Sequence, residues 1–179
     1  MPGKEPRTAS ASTLYTTEQR RRRDASPWTR VQGVLAPAQF LVMIGSTVLV
    51  VRYLVGGVGY DVATASVVLK TGLLYAIMVT GSIWEREVFG RWLFAPAFFW
   101  EDVVSMGVIA LHTAYLAGLA LGWPGPTALA WLALVAYAAY TVNAVQFLLK
   151  LRAARLEEAR GTVEGVEGVG RVRRAGVTG

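Results

Sequence analysis

Long uncharged runs separated by short charged segments occupy most of the chain. Residues 31–51 contain no charged side chain, and residues 62–84 contain a single lysine. No Asp, Glu, Lys or Arg occurs from 103 to 149, but the sequence GWPGPT at 122–127 divides this span, because Gly and Pro together end helices. About 20 apolar residues in a helix cross a bilayer core. The pattern therefore predicts four membrane-spanning helices, at 31–54, 62–84, 101–122 and 127–150.

The basic residues indicate how these helices are oriented. Arginines at 20–23 and Arg30 precede the first helix, Arg86 and Arg91 lie between the second and third, and Lys150 follows the fourth. The other two connections, GGVGYD and GWPGPT, contain no Lys or Arg. Because positively charged loops stay on the cytoplasmic side, we predict an all-α, polytopic four-helix bundle with both termini cytoplasmic. Its parts are a basic N-terminal segment (1–30), a transmembrane domain (31–150) and a largely disordered tail (151–179).

The composition argues against several classes of function. Hydrophobic residues make up 54% of the chain and charged residues 17%, with a net charge of +6. A basic nucleic-acid-binding protein needs its charges spread over an exposed face, so the long uncharged runs argue against that class. The chain has no cysteine, which excludes disulfides, thiolate zinc sites and cysteine-ligated iron–sulfur clusters. The basic ends suit a membrane surface with anionic headgroups.

The third predicted helix carries ionisable residues, which are costly in a membrane and indicate function by default. At 100° per residue, Glu101, Ser105, His112 and Tyr115 fall within about 80° of one another, and Asp102 lies about 100° from Glu101. Lipid offers these groups no partner, so we expect this polar stripe to face the bundle interior. His112 lies about 16 Å along the helix from Glu101, near the bilayer midplane.

Each of these polar residues also has an ordinary explanation. Acidic residues at a helix N-terminus interact favourably with the helix dipole, which would account for Glu101 and Asp102 without any catalytic role. His112 could make a purely structural hydrogen bond. Lys70, on the second helix, reaches a similar depth from the opposite side; it could pair with the stripe or extend its amine to the membrane surface, and the second arrangement is favoured.

The connection at 84–102, WEREVFGRWLFAPAFFWED, is dense in aromatic residues. It contains three Trp and four Phe beside two Arg and four carboxylates. An interfacial aromatic belt explains some of them, but so dense a cluster also suits a flat apolar ligand with an anionic edge that arginine would bind. The candidate substrate-binding residues of this segment are Trp84, Trp92, Trp100, Arg86 and Arg91.

Two stretches of the chain carry a resemblance to a known family: LYTTEQRRRRDASPWTRVQGVLAPAQF (14–40) and LYAIMVTGSIWEREVFGRWLFAPAFFWEDVVSMGVIALHTAYL (74–116). They closely resemble the 2-vinyl bacteriochlorophyllide hydratase family of phototrophic bacteria, and the resemblance extends from about 14 to about 156. It implies a bacterial inner-membrane enzyme that adds water to the 3-vinyl group of chlorophyllide a, or of its bacteriochlorin counterpart, to give a 1-hydroxyethyl group. The expected partners are the tetrapyrrole, membrane lipid and other enzymes of bacteriochlorophyll synthesis, with no nucleic acid and no cofactor beyond the substrate's own magnesium.

The reaction that the resemblance implies requires an acid and a base. A proton must be added to the terminal vinyl carbon, and water to the carbon attached to the ring. This requires a carboxylic acid that is still protonated near neutral pH and a base for the arriving water. Glu101 and Asp102, with Glu85, are the candidate catalytic carboxyl groups, and a neighbouring anion would also stabilise the intermediate cation.

His112 has a second candidate role, as the axial ligand of the substrate's magnesium. One binding pose can hardly place His112 on magnesium and Glu101 on the vinyl group, because about 16 Å of helix separates them. Either the site lies at the cytoplasmic end and His112 is structural, or it lies deeper, with His112, Ser105, Tyr115 and Lys70 nearest the chemistry. The first arrangement is favoured.

Two other functions fit parts of the pattern. A non-catalytic pigment-binding or assembly protein would use the same aromatic residues and His112 without needing clustered carboxyl groups. A small proton-coupled transporter would use Lys70 and His112 as a relay, but the sequence shows no internal repeat and four helices rarely provide alternating access.

Overall fold

The computed structural model describes residues 14–175, without the side chains of 157, 158 and 160–175. This part of the chain forms five helices and no strand, as the all-α prediction requires. Four of the helices are long and apolar enough to cross a membrane. The helices are α1 (Thr17–Ala25), α2 (Pro27–Gly56), α3 (Tyr60–Phe89), α4 (Phe99–Leu121) and α5 (Pro126–Ala175).

Local sequence sets the helix ends. The Thr16 hydroxyl accepts a hydrogen bond from the Gln19 N–H, and the Gln19 side chain accepts one from the Thr16 N–H, so α1 begins with a capping box. Ser26 caps α2, and Pro27 occupies its first position, where a missing N–H costs nothing. Gly90 ends α3 in the left-handed conformation, which glycine adopts without a steric penalty.

The long helices pack as two antiparallel pairs. Helix α2 packs mainly against α3, and α4 packs mainly against α5. Smaller contact areas between α2 and α5 and between α3 and α4 complete the bundle. The central core consists of buried apolar side chains from all four helices, while many large apolar side chains point outward. An outward-facing apolar surface on all four helices is what a lipid environment requires. Exposed examples are Leu41, Val48, Val79, Val142 and Leu148.

Helix α1 lies across the end of the bundle where α2 begins and α3 ends. Tyr15, just before α1, is buried against Phe89 and Phe98 in a second, smaller apolar cluster. Ser26 donates a hydrogen bond to Glu87 of α3 (2.5 Å). The N-terminal arm is therefore attached to the same end of the bundle as the aromatic connection between α3 and α4.

The helices are longer than the sequence indicated. Helix α3 extends five residues beyond the predicted 84, so the WEREVF segment is helical rather than part of a loop. Helix α5 continues to Ala175, through a region where the sequence favoured a largely disordered tail. Residues 1–13 and 176–179 of the predicted terminal segments lie outside the described part of the chain. The cytoplasmic location of the termini stays a prediction.

Candidate active site

Three carboxyl groups meet where α3 ends and α4 begins. Glu85 belongs to the last turns of α3, and Glu101 and Asp102 to the first turn of α4. Their exposed fractions are only 5%, 8% and 3%. The intervening connection folds back so that its backbone lies against the carboxyl groups. The structure thus brings together all three carboxyl groups that the sequence nominated as catalytic.

Glu85 and Asp102 form a direct carboxyl–carboxyl pair. The two carboxyl groups are close enough to interact directly. Two buried carboxylates side by side repel each other, so we expect the pair to retain one proton. Both groups also bind the connection: Glu85 Oε2 accepts from the Ala95 N–H (3.2 Å), and Asp102 Oδ2 from the Phe94 N–H (2.8 Å). The pair is therefore a candidate proton donor whose position is fixed by the backbone.

Glu101 has a different environment from this pair. Lys150 of α5 donates a hydrogen bond from Nζ to Glu101 Oε2 at 2.6 Å, and its ammonium also lies 5.2 Å from the centre of the Phe98 ring. Glu101 is thus paired with a cation beside the Glu85–Asp102 pair. Sequence reasoning assigned Lys150 only to membrane topology, since no spacing rule links it to Glu101.

The backbone at Phe94 is strained. Its φ is +58°, a left-handed conformation that costs a residue with a Cβ about 1–2 kcal/mol. This conformation directs two successive N–H groups, of Phe94 and Ala95, at the two carboxyl groups. Ala95 itself is completely buried. The connection therefore covers the acidic pair and is held in place by it.

The outer face of this connection and of the first turn of α4 is aromatic. Trp92 and Trp100 are 55% and 70% exposed, and Arg86 lies over the Trp92 ring at 4.6 Å. Phe99 contacts both Phe94 (5.8 Å) and Trp100 (5.5 Å) between ring centres. We call Trp92, Phe94, Phe99 and Trp100 the aromatic surface. A flat apolar molecule lying on it would be next to the buried carboxyl groups.

The other predicted binding residues of this region divide into exposed and packed groups. Arg86 and Arg91 are exposed near the aromatic surface. Trp84 instead packs edge-on against Phe89 and Phe98 and donates a hydrogen bond to Thr29 (2.9 Å). Trp84 thus joins α3 to α2, and the exposed tryptophans are the ones available to a ligand.

The predicted polar stripe on α4 is confirmed. Ser105, His112 and Tyr115 are all buried on the same face as the two acidic residues of α4. Ser105 Oγ accepts a hydrogen bond from Asn143 of α5 (2.8 Å). The His112 Nδ1 is 2.8 Å from the carbonyl oxygen of Val108, one turn earlier. These groups lie deeper in the bundle than the carboxyl groups.

Lys70 does not extend to the membrane surface, so the favoured sequence interpretation was wrong. The side chain is completely buried. Its Nζ donates to Gln39 Oε1 at 2.6 Å and lies 3.7 Å from the centre of the Tyr140 ring. An amide oxygen and an aromatic face provide partners inside the bundle that the sequence alone could not place opposite this lysine. His112 lies beside the Tyr137 ring (5.8 Å between ring centres), one turn from Tyr140 on α5, so Lys70 and His112 belong to one buried polar cluster.

Comparisons with known proteins show which family the chain belongs to. The family model described as 2-vinyl bacteriochlorophyllide hydratase matches residues 15–153. A protein of that name from Rhodobacter capsulatus is 61% identical over 154 residues, covering 86% of this chain and 90% of the relative. Another, from Cereibacter sphaeroides, is 64% identical over 144 residues, covering 80% and 89%. No solved structure matches the chain. The chain belongs to the 2-vinyl bacteriochlorophyllide hydratase family.

Proposed function

We propose that this protein adds water to the ring vinyl group of a chlorophyllide-type tetrapyrrole, giving a 1-hydroxyethyl group, in bacteriochlorophyll synthesis. The relatives named as hydratases support the reaction. The observation that supports the mechanism is the buried pair of Glu85 and Asp102, which the aromatic connection covers and binds through the Phe94 and Ala95 N–H groups. The substrates are chlorophyllide a and 3-vinyl bacteriochlorophyllide a.

The chemistry begins with proton transfer. The proton held between Glu85 and Asp102 moves to the terminal CH₂ carbon of the vinyl group, which becomes a methyl group. The positive charge left on the ring-attached carbon is delocalised into the macrocycle. The ionised pair, together with the Glu101 carboxylate, stabilises this cation electrostatically.

Water then completes the addition. Its oxygen forms a bond to the ring-attached carbon, and one of its protons returns to the carboxyl pair, which regains its starting state. A pair that donates a proton and takes one back acts as both general acid and general base. The balance is one water added to one vinyl group, with no net proton change and no redox step.

The aromatic surface orients the substrate in this proposal. The macrocycle lies on Trp92, Phe99 and Trp100, with its propionate toward Arg86 or Arg91 at the membrane surface. Because Ala95 and the carboxyl groups are buried, the 90–98 connection moves aside when the vinyl group enters. The orientation expected from the basic loops places this site on the cytoplasmic side of the bacterial inner membrane, where other enzymes of the pathway are candidate partners.

Labelled water tests the activity directly. Purified protein in lipid nanodiscs is incubated with chlorophyllide a in H₂¹⁸O, and the product is analysed by mass spectrometry. A hydratase incorporates one ¹⁸O atom into a 1-hydroxyethyl product. Pigment that binds without incorporating label would instead identify a pigment-binding or assembly protein.

A matched pair of tryptophans tests the substrate surface. Aromatic contacts are worth about 0.5–1.5 kcal/mol each, so Trp100→Ala should raise KM about 2- to 10-fold. Trp131 is also exposed, at 58%, but lies on α5 near the opposite end of the bundle. Trp131→Ala should leave KM unchanged, and an equal effect of both substitutions would contradict binding at the aromatic surface.

A further inference from the structure

A polar cluster in the middle of the bundle has no part in the chemistry described above. Lys70 and His112 are both completely buried, on α3 and α4. Gln39 of α2 and Tyr140 of α5 complete the surroundings of the Lys70 ammonium. All four membrane-spanning helices therefore contribute to this cluster, about four helical turns from the carboxyl pair along α3.

The hydrogen bonds define what His112 can bind. A carbonyl oxygen only accepts, so the contact with Val108 requires the proton on Nδ1. In the neutral ring, Nε2 then carries a lone pair. This nitrogen is buried and has no hydrogen-bond partner among the described residues. His112 thus presents a free acceptor to the bundle interior.

Lys70 presents the complementary group. An ammonium has three N–H donors; one binds Gln39, and the Tyr140 ring covers another. A ligand for this cluster must accept a hydrogen bond from the third N–H and donate one to His112 Nε2. Water does both and is small enough for a buried position.

We propose that Lys70 and His112 hold a buried water molecule, and that this water replenishes the one consumed in hydration. The second part rests on the proposed function. The route toward the carboxyl groups follows the polar face of α4: Ser105 lies about two turns from His112 and about one turn from Glu101. Beside it, Asn143 Oδ1 is another buried acceptor without a partner in the described residues.

The single histidine makes the water site directly observable. Protein carrying ¹⁵N-histidine in lipid bilayers gives one pair of ring nitrogen signals in solid-state NMR. We expect a protonated Nδ1, an unprotonated Nε2 that accepts a hydrogen bond, and magnetisation transfer from water protons to the ring. A ring that receives no magnetisation from water overturns the proposal, as does a chlorophyllide-dependent change showing that Nε2 binds magnesium.

Two variants on α3 distinguish loss of the water site from the general effects of a mutation in this helix. Lys70→Met removes the ammonium and should reduce water transfer to His112 at least 5-fold. Thr71→Val is the control, because Thr71 is equally buried and its hydroxyl, among the described residues, binds only the Val67 carbonyl of its own helix (2.8 Å). This variant should leave the transfer unchanged. The Nδ1–H signal of His112 reports whether each variant is folded. Unchanged transfer in Lys70→Met overturns the assignment.

Enzyme kinetics test separately whether the buried water supplies the hydration reaction. Lys70→Met should lower kcat and leave KM for chlorophyllide unchanged, since the aromatic surface is intact. If water is lost from His112 while kcat is unchanged, the supply role is overturned. If the wild-type protein forms product with a dry His112, this inference fails and the proposed function stands. If His112 is hydrated but no product forms, the water site stands, and the proposed function fails together with the supply role.

Discussion

Replacing Asp102 by asparagine tests whether the Glu85–Asp102 pair is the catalytic acid. The two side chains have nearly the same shape. Asparagine Oδ1 can still accept the Phe94 N–H that Asp102 Oδ2 binds at 2.8 Å, and its amide can donate to Glu85. The 90–98 connection therefore keeps its attachment. What is lost is the second carboxyl group, and with it the proton that we propose the pair to share.

The expected magnitudes follow from these contacts. Because the hydrogen bonds are replaced one for one, the free energy of unfolding should change by no more than about 1 kcal/mol. General acid catalysis contributes about 10²- to 10⁴-fold, so kcat should fall by that factor, equivalent to about 3–5 kcal/mol in the activation barrier. KM should change little, since the aromatic surface is untouched.

The assay is single-turnover conversion of chlorophyllide a, followed by absorbance and product mass. Glu85→Gln should behave like Asp102→Asn, and the double variant should lose little more than either alone, because the two groups act as one unit. Glu87→Gln is the control: Glu87 is an exposed carboxylate two residues from Glu85, bound to Ser26. A kcat within 3-fold of wild type for Asp102→Asn would refute the reasoning, as would additive losses in the double variant.

Three further substitutions test other parts of the structure. Gly118→Ala should lower the free energy of unfolding by about 1–3 kcal/mol in a denaturant titration, because its Cβ would lie 2.7 Å from the Leu129 side chain; wild-type stability would contradict this packing. Phe94→Gly should not lower stability, since it relieves a left-handed backbone, but should raise KM; an unchanged KM would remove Phe94 from the substrate surface. Lys150→Met leaves the buried Glu101 without its cation and should lower the thermal midpoint more than Lys150→Arg does; equal midpoints would show that the salt bridge is unimportant.

The number and position of the spans were predictable from the sequence because lipid imposes a simple rule. A helix that crosses a membrane core needs about 20 apolar residues. Such a run is visible in the sequence without any knowledge of the tertiary structure. The exact ends were less predictable. Glu85 and Arg86 looked like loop residues because they are charged, yet they continue α3, where Glu85 binds the Ala95 N–H and Arg86 lies over Trp92.

The composition of the candidate site was predictable, but its internal pairing was not. Helical spacing placed Glu101 on the buried stripe and Asp102 about a quarter-turn away. It could not show that Asp102 contacts Glu85 or that Lys150 reaches Glu101, because each contact joins different helices. The expected role of Glu101 as an acid stays untested, but the salt bridge favours an electrostatic role for it.

The depth of His112 bears on where a macrocycle can bind. Its ring is completely buried, with Nδ1 bound to Val108 and the Tyr137 ring 5.8 Å away. For Nε2 to bind the magnesium of a tetrapyrrole, α4 and α5 would have to separate by the thickness of a macrocycle and expose the Lys70 cluster to lipid. The carboxyl pair requires only that a short connection between α3 and α4 move aside. Because opening a loop should cost less than separating packed membrane helices, we propose that the chemistry occurs at the end of the bundle and that His112 acts within the polar cluster.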